Sequence, residues 1–329
     1  MGEGIPGQVA VGLGEAMIRL TVPGRQRLAG AASLEVSVGG AELNLLVALA
    51  QLGVASRWVT RLPDGPLGDV IRRHAMRFGV DVRAEMEAPG RAGLYFVELG
   101  ALPRAAEVTY DRADSAASHL RAGSFDWSSV LSDAAVFHTT GITCALGSQS
   151  YQAVQEAIGV ARELGVVVSF DCNFRRRLWE PDVAALRLRE VVPHVDVLFA
   201  SAFDLGLILG RSGDLLSMAT EVQASFGVGT VVVRSQRELG GESLELTVVV
   251  VEGSQQAKAV AVTHVVDPFG AGDAAAAAFL AARLREHDSK TCANWAVMAS
   301  ACQYTLPGDT WLVRPADLLT GHSSVRIDR

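Results

Sequence analysis

The chain has 329 residues, 49% of them hydrophobic and 20% charged, enough for a sizeable core in one large or two ordinary domains. Asp and Glu (36) outnumber Lys and Arg (29), and the net charge of −7 offers a phosphate backbone no general attraction, which sets nucleic acid aside as a partner. No apolar run reaches the roughly 18 residues of a membrane span, Cys144, Cys172, Cys292 and Cys302 form no CxxC pair, and the first 20 residues lack a basic stretch followed by a long apolar one, so a cytoplasmic globular protein is expected.

In chain order, residues 9–13, 134–138, 166–170, 195–199 and 230–234 are short β-branched runs that read as strands buried on both faces. Segments 40–53, 65–79, 147–165, 181–191 and 214–227 read as helices, most of them stopping at a glycine suited to a left-handed cap. This alternation predicts an α/β fold with a mainly parallel central sheet flanked by helices. Two regions, about 15–38 and 93–112, hold short extended pieces (Met17-Ile18-Arg19-Leu20, Leu94-Tyr95-Phe96-Val97-Glu98 and Glu107-Val108-Thr109-Tyr110) with no helix between them. They predict a small antiparallel sheet, which serves either as a lid over a site at the carboxyl ends of the parallel strands or as an extension of the main sheet's edge. No internal repeat, linker or clean domain boundary is visible.

Three glycine-rich stretches compete as phosphate or nucleotide motifs. Gly12-Leu13-Gly14-Glu15-Ala16-Met17 follows a strand but ends the GxGxxG pattern on Met17 and opens no helix. The two lysines, Lys258 and Lys290, do not follow a glycine, which excludes a P-loop. The third stretch runs from Val265 through Gly270, Ala271 and Gly272 to Asp273 and into a helix expected over 274–286. Backbone N–H groups at a helix N-terminus are unpaired and carry partial positive charge, so this turn suits a transferring phosphoryl group. Asp273 in the same turn is either a general base for an incoming hydroxyl or a carboxylate that merely complements the helix dipole.

The stretch Asp267-Pro268-Phe269-Gly270-Ala271-Gly272-Asp273 resembles the second signature of the ribokinase-like (PfkB) carbohydrate kinases, and Val38-Gly39-Gly40-Ala41-Glu42-Leu43-Asn44 resembles the first. Ala92 to Phe96, Asp171 to Trp179 and Cys302 to Asp309 extend the likeness, which spans about residues 9–319 and within that family points to the kinases of 2-keto-3-deoxygluconate. The resemblance implies one ribokinase-like domain over 1–329, with a β lid that also joins copies of the chain into a homo-oligomer. It implies transfer of a phosphoryl group from ATP, with Mg2+, to the terminal hydroxyl of a sugar or sugar acid. Asp273 would be the base, at a catalytic turn made by Gly270, Ala271 and Gly272. Glu15, Gly39, Gly40, Asn44, Tyr95, Tyr110, Arg112 and Arg175 would bind the sugar. Ser201, Arg234, Gly270, Gly272 and Asn294 would meet the nucleotide, Asp204 would act indirectly on Mg2+, and Asp267 would face a monovalent cation such as K+.

Physical chemistry supports several of these roles and offers alternatives to others. Gly39 and Gly40 admit a ligand close to the backbone or simply make a tight turn, and Asn44 can hydrogen-bond hydroxyls from a first helical turn. The Arg175 guanidinium can grip a carboxylate through two parallel hydrogen bonds, which distinguishes a sugar acid from a neutral sugar. Arg176 and Arg177 read as a solvated basic run. Glu15 is equally suited to a salt bridge at the lid root, the tyrosines to sheet packing, and Asn294 to a surface position. The family's Asn/Ser-x-x-Glu appears here as Ser201-Ala202-Phe203-Asp204. Its Lys/Arg-x-Gly-x-x-Gly appears as Arg234 to Leu239 without either glycine, so Gly240 and Gly241 are expected to take over through a shifted loop. The alternatives are a kinase of fructose, a ribose-like sugar or a deoxy-gluconate isomer, or a sugar-acid-binding protein without turnover.

Overall fold

The computed structural model describes residues 8–101 and 103–318, so the ends of the 1–329 expectation and Leu319 lie outside the described residues. The strands are β1 (Val9–Leu13), β2 (Met17–Thr21), β3 (Glu35–Gly39), β4 (Ala55–Pro63), β5 (Val80–Glu87), β6 (Leu94–Glu98), β7 (Glu107–Asp111), β8 (Ala134–Thr140), β9 (Val167–Asp171), β10 (Val197–Ser201), β11 (Thr230–Gly240), β12 (Ser243–Glu252) and β13 (Ser254–Val262). Nine of them form one sheet in the order β13-β12-β11-β10-β9-β8-β1-β4-β5. The members from β11 to β5 are parallel, and β12 runs antiparallel to both of its neighbours.

Alternate residues of the central strands feed two separate cores. Ala10, Val136, Phe199 and Val232 pack on one side with the helices Ala41–Gln51 and Ala271–Leu284, while Val11, Phe137, Val168 and Leu198 pack on the other with Ser148–Glu163 and Pro181–Val191. Continuous apolar runs require this, because a strand covered on both faces has no solvent side to carry polar residues. Ala274 through Ala278 are all buried where their helix packs between Ala41–Gln51 and Ser289–Tyr304. Side chains of one carbon let three helices approach closely there. Among the described residues no helix is long and apolar enough to cross a membrane.

The smaller sheet has the order β3-β2-β6-β7 and is mixed rather than antiparallel, since β2 and β6 pair in parallel. The reason lies in the main sheet. β1 and β5 both run parallel to β4, and the chain leaving each one continues into β2 or β6, so both enter the smaller sheet with the same heading. The paired row Ser37, Arg19, Tyr95 and Tyr110 crosses one face of this sheet, and the row Val36, Leu20, Phe96 and Thr109 crosses the other. The carboxyl ends of β1, β8, β9 and β10 deliver Glu15, Thr140, Asp171 and Ser201 to the same edge, where ligands of parallel sheets bind, and Arg234, midway along β11, pairs with Ser201 at that level.

Candidate active site

A cavity of about 1110 Å³ lies between that edge and the smaller sheet. Among the residues expected from sequence, Glu15, Gly39, Gly40, Asn44, Tyr95, Tyr110, Arg112, Arg175, Ser201, Asp204, Arg234, Gly270, Gly272 and Asp273 line it. Ala271 and Asp267 are buried behind its wall. Asn294 stands in the helix Ser289–Tyr304 and is not brought to this cavity. That helix runs back toward the site only at its far end, where Tyr304 O accepts the Val266 N–H at 2.8 Å.

The helix behind the glycine turn starts earlier than the alanine run suggests. Gly270 is the N-cap with φ 75°, and the helix begins at Ala271, which puts Asp273 inside its first turn. A Cβ at position 270 would lie 2.5 Å from Asp309 O, so backbone conformation and close packing both require glycine there. Asn44 ties two helix starts together. Its Nδ2 donates to Asp273 Oδ2 at 2.7 Å, and its Oδ1 accepts from the Gly40 N–H, the cap of its own helix, at 3.4 Å. Burial raises the Asp273 carboxyl to about 6, opposed by the Asn44 hydrogen bond and reinforced by the negative charge of Asp171. A carboxylate with that affinity for protons is ionised at neutral pH yet is a stronger base than an exposed aspartate. Arg234 sits alongside, donating to both Asp171 oxygens at 2.6 and 2.8 Å and to Gly272 O at 2.7 Å.

Several of these residues have partners within the protein. Gly39 and Gly40 are not an open floor: a Cβ on Gly39 would lie 2.1 Å from the Tyr95 hydroxyl, and one on Gly40 would lie 2.3 Å from Glu15 O. Their missing side chains make room for the protein itself. Glu15 is the lid-root ion pair, accepting from Arg112 and, at 2.5 Å, from Ser115. Asp204 is consumed by a capping box with Ser201 (2.7 Å to both N and Oγ) and by the Phe174 N–H at 3.3 Å. Asp267 faces the guanidinium of Arg19 at 2.5 Å. Gly240 and Gly241 make the tip of the β11–β12 hairpin, with φ of 102° and 61°, and do not reach the cavity. The pairing of β11 with β12 continues to that tip, held by Leu246 and Val248 in the core, so a loop never opens after Arg234. Arg177 is not merely solvated, because it lines the cavity and donates to Val108 O on β7.

Sequence reasoning missed Arg19, Asp309 and Glu42. Arg19 and Asp309 form a buried ion pair beside Tyr95, whose ring stacks on Tyr110 at 5.9 Å. Tyr95, nearly enclosed, holds its proton well above the usual phenol range, chiefly through burial. Glu42 is fully buried under the first turn of the helix Ala41–Gln51, where Oε1 accepts from Thr140 and Thr143 at 2.8 and 2.7 Å and Oε2 has no partner. A Cβ on Gly14 would lie 2.2 Å from this carboxyl, so the Gly12/Gly14 pair serves packing. A charged residue between Ala41 and Leu43 gave the only available signal that something in the core answers it.

The pattern of the pfkB family carbohydrate kinase matches residues 9–312. A 2-dehydro-3-deoxygalactonokinase of Haloferax volcanii is 34% identical, over 94% of this chain and 94% of its own. A 2-dehydro-3-deoxygluconokinase of Thermoproteus tenax is 33% identical, over 91% and 89%. The crystal structure of a 2-dehydro-3-deoxygluconokinase from Thermotoga maritima superposes with a TM-score of 0.90 at 35% identity, covering 95% of this chain and 98% of that one.

Burial raises the Glu42 carboxyl to about 7 from an ordinary 4.5. The folded chain therefore keeps a proton that the unfolded chain has lost, and this group makes stability fall as pH rises from about 4.5 to about 7. Replacing Glu42 with Gln removes the effect with little change of shape. Thermal melts between pH 5 and 8 should show the wild type losing several degrees relative to Glu42→Gln as pH rises, and parallel curves would refute the assignment.

Proposed function

This chain belongs to the pfkB family and is a carbohydrate kinase, and we propose that it moves the terminal phosphoryl group of ATP to the terminal hydroxyl of a 2-keto-3-deoxy sugar acid, the gluconate or its galactonate epimer. The observation that carries this reading is the union, in one cavity, of Asp273 held by Asn44 and an arginine whose guanidinium forms no salt bridge among the described residues. Arg175 lines the cavity and is exposed; its carbonyl accepts the Leu178 N–H, its positive charge acts on nearby Asp171, and its guanidinium makes no hydrogen bond or ion pair among the described residues. The relatives named for 2-keto-3-deoxy acids support the acid over a neutral sugar.

The first-turn N–H groups behind Gly270 have no intrahelical acceptor and suit an anionic phosphate, and Arg234 adds a fixed cation beside them. Among the described residues no three His, Cys, Asp or Glu side chains gather into a metal site, so the donor set fits a Mg2+ ion carried on nucleotide phosphates better than a resident one. ATP with its Mg2+ supplies the transferable phosphoryl group. Asp273 takes the hydroxyl proton as the sugar oxygen bonds to phosphorus and the bond to ADP breaks. Asn44 holds Asp273 in place, Arg175 takes the substrate carboxylate, and Tyr95, Tyr110 and Arg112 close over the sugar as the smaller sheet acts as a lid. Both sheets then serve one reaction as a single unit, working in the cytoplasm where ATP is supplied. The outward row of the lid carries Val36, 64% exposed, with Leu20 and Phe96 beside it, and we assign that face to a second copy of the chain.

ADP release measured over both sugar acids, fructose and ribose tests the reading. Turnover on a neutral sugar alone would replace the substrate, and binding of the acids without ADP release would make the protein a binder. Asp273→Asn should keep sugar-acid affinity and lower kcat by at least ~10²-fold. In the wild type kcat should fall as pH drops through about 6, because protonated Asp273 cannot accept the hydroxyl proton. A flat profile would deny Asp273 its role as base.

Arg175→Lys keeps the charge and loses the planar fork, and should cost about 10–150-fold in kcat/KM on the acid while sparing neutral sugars. Equal losses on both would make Arg175 structural. Sedimentation should show dimers or higher species that Val36→Glu shifts toward monomer, and an unchanged distribution would move the interface elsewhere.

A further inference from the structure

The Asp267 carboxylate, which the family resemblance assigns to a monovalent cation, already faces a side chain. Arg19, 1% exposed on β2, donates Nη2 to Asp267 Oδ2 at 2.5 Å, Nη1 to Asp309 Oδ1, and Nε to Thr21 Oγ1 at 2.8 Å. Its guanidinium carbon lies 4.9 Å from the centre of the Phe269 ring. Asp267 is filled further by the Phe269 N–H on Oδ1 at 3.0 Å and the Gly308 N–H on Oδ2 at 2.9 Å. We propose that the Arg19 guanidinium does permanently what a bound K+ would do, neutralising Asp267 and Asp309 so that the loops 265–270 and 304–310 lock the catalytic turn, and that this enzyme therefore needs no monovalent cation.

Two buried carboxylates this close to each other are unstable without a cation between them, since each leaves water and repels the other. Both belong to the turn. Asp267 stands three residues before Gly270, and the backbone of Asp309 is the surface against which Gly270 packs. A K+ ion added at Asp267 would meet a carboxylate whose charge is already spent and would sit against a guanidinium of like charge. Each of the three guanidinium nitrogens of Arg19 donates to a side chain of the protein, which fixes the group between the two carboxylates. It acts through the turn and is a positioning residue.

The activity arm of the test rests on the kinase reading, and a melting arm does not. Wild-type enzyme is assayed and melted in K+, Na+ or tetramethylammonium chloride at constant ionic strength, and activity and Tm should agree among the three within about twofold and about a degree. Arg19→Met leaves two buried carboxylates unpaired and should lower Tm by roughly 5–15 °C. Its Tm and its turnover should then recover in part with tens of millimolar K+ or with a few millimolar guanidinium, which returns the missing group to its cavity. A several-fold activation or a clear Tm gain of the wild type by K+ would overturn the proposal, as would a folded Arg19→Met indifferent to both ions. If Arg19→Met does not fold, the wild-type comparison still decides, and Arg19→Lys, which keeps a charge, should fold and remain indifferent to K+; a K+ requirement in that variant would count against full replacement of the ion by the arginine. Should no substrate release ADP, the kinase reading fails while the melting curves continue to judge Arg19.

Discussion

The hydrogen bond from Asn44 to Asp273 joins residues 229 positions apart and sets the first turns of two helices side by side. Each helix start carries unpaired N–H groups and partial positive charge. Setting two of them at one edge of a parallel sheet creates a place that favours anions, and a carboxylate there is tolerated only when it is held and partly relieved of its own charge. Asn44 provides the hold, and the partial burial of Asp273 provides the basicity. Much of the surrounding architecture keeps these two turns in register, from the alanine run that lets three helices approach closely to the glycines that yield space to Tyr95, Glu15 and Asp309.

Charge is the second organising constraint. Asp171 with Arg234, Asp267 and Asp309 with Arg19, and Glu15 with Arg112 are ion pairs of buried or nearly buried groups around one cavity. Buried pairs contribute little net stability when compared with apolar packing, but losing one partner is costly, so they specify geometry. Two of the three connect the smaller sheet to the main body, since Arg19 lies on β2 and Arg112 directly follows β7. Arg175 stands at the same cavity wall outside these pairs, where its charge acts on Asp171 without a salt bridge. Arg177 lines the same cavity, but its guanidinium donates to Val108 O on β7.

Glycines, an asparagine and carboxylates at family spacing made the helix start before Asp273, Asn44 and Arg175 stand out in the chain alone as candidates that the structure gathers at one cavity, because their chemistry is local: a helix start, a cap, a fork of donors. The α/β alternation was readable for the same reason, since strands covered on both faces must be apolar throughout. The mixed pairing of the smaller sheet was not, because the heading of β2 and β6 is inherited from strands of the other sheet. Nor was the fate of Gly240 and Gly241, which depends on how far β12 extends its pairing along β11.

What the amino-acid sequence determined was the fold class, the family and the glycine turn that opens a helix at Asp273, each encoded within short stretches of adjacent residues. What only the tertiary structure decided was which carboxylates are free. Asp204, Asp267 and Glu15 have the same chemistry on paper as Asp273, yet Ser201 and Phe174, Arg19, and Arg112 and Ser115 claim them. Those partners lie up to 248 residues away in sequence, and an ionisable group's role is set by what stands within a few ångströms, a distance that folding alone defines.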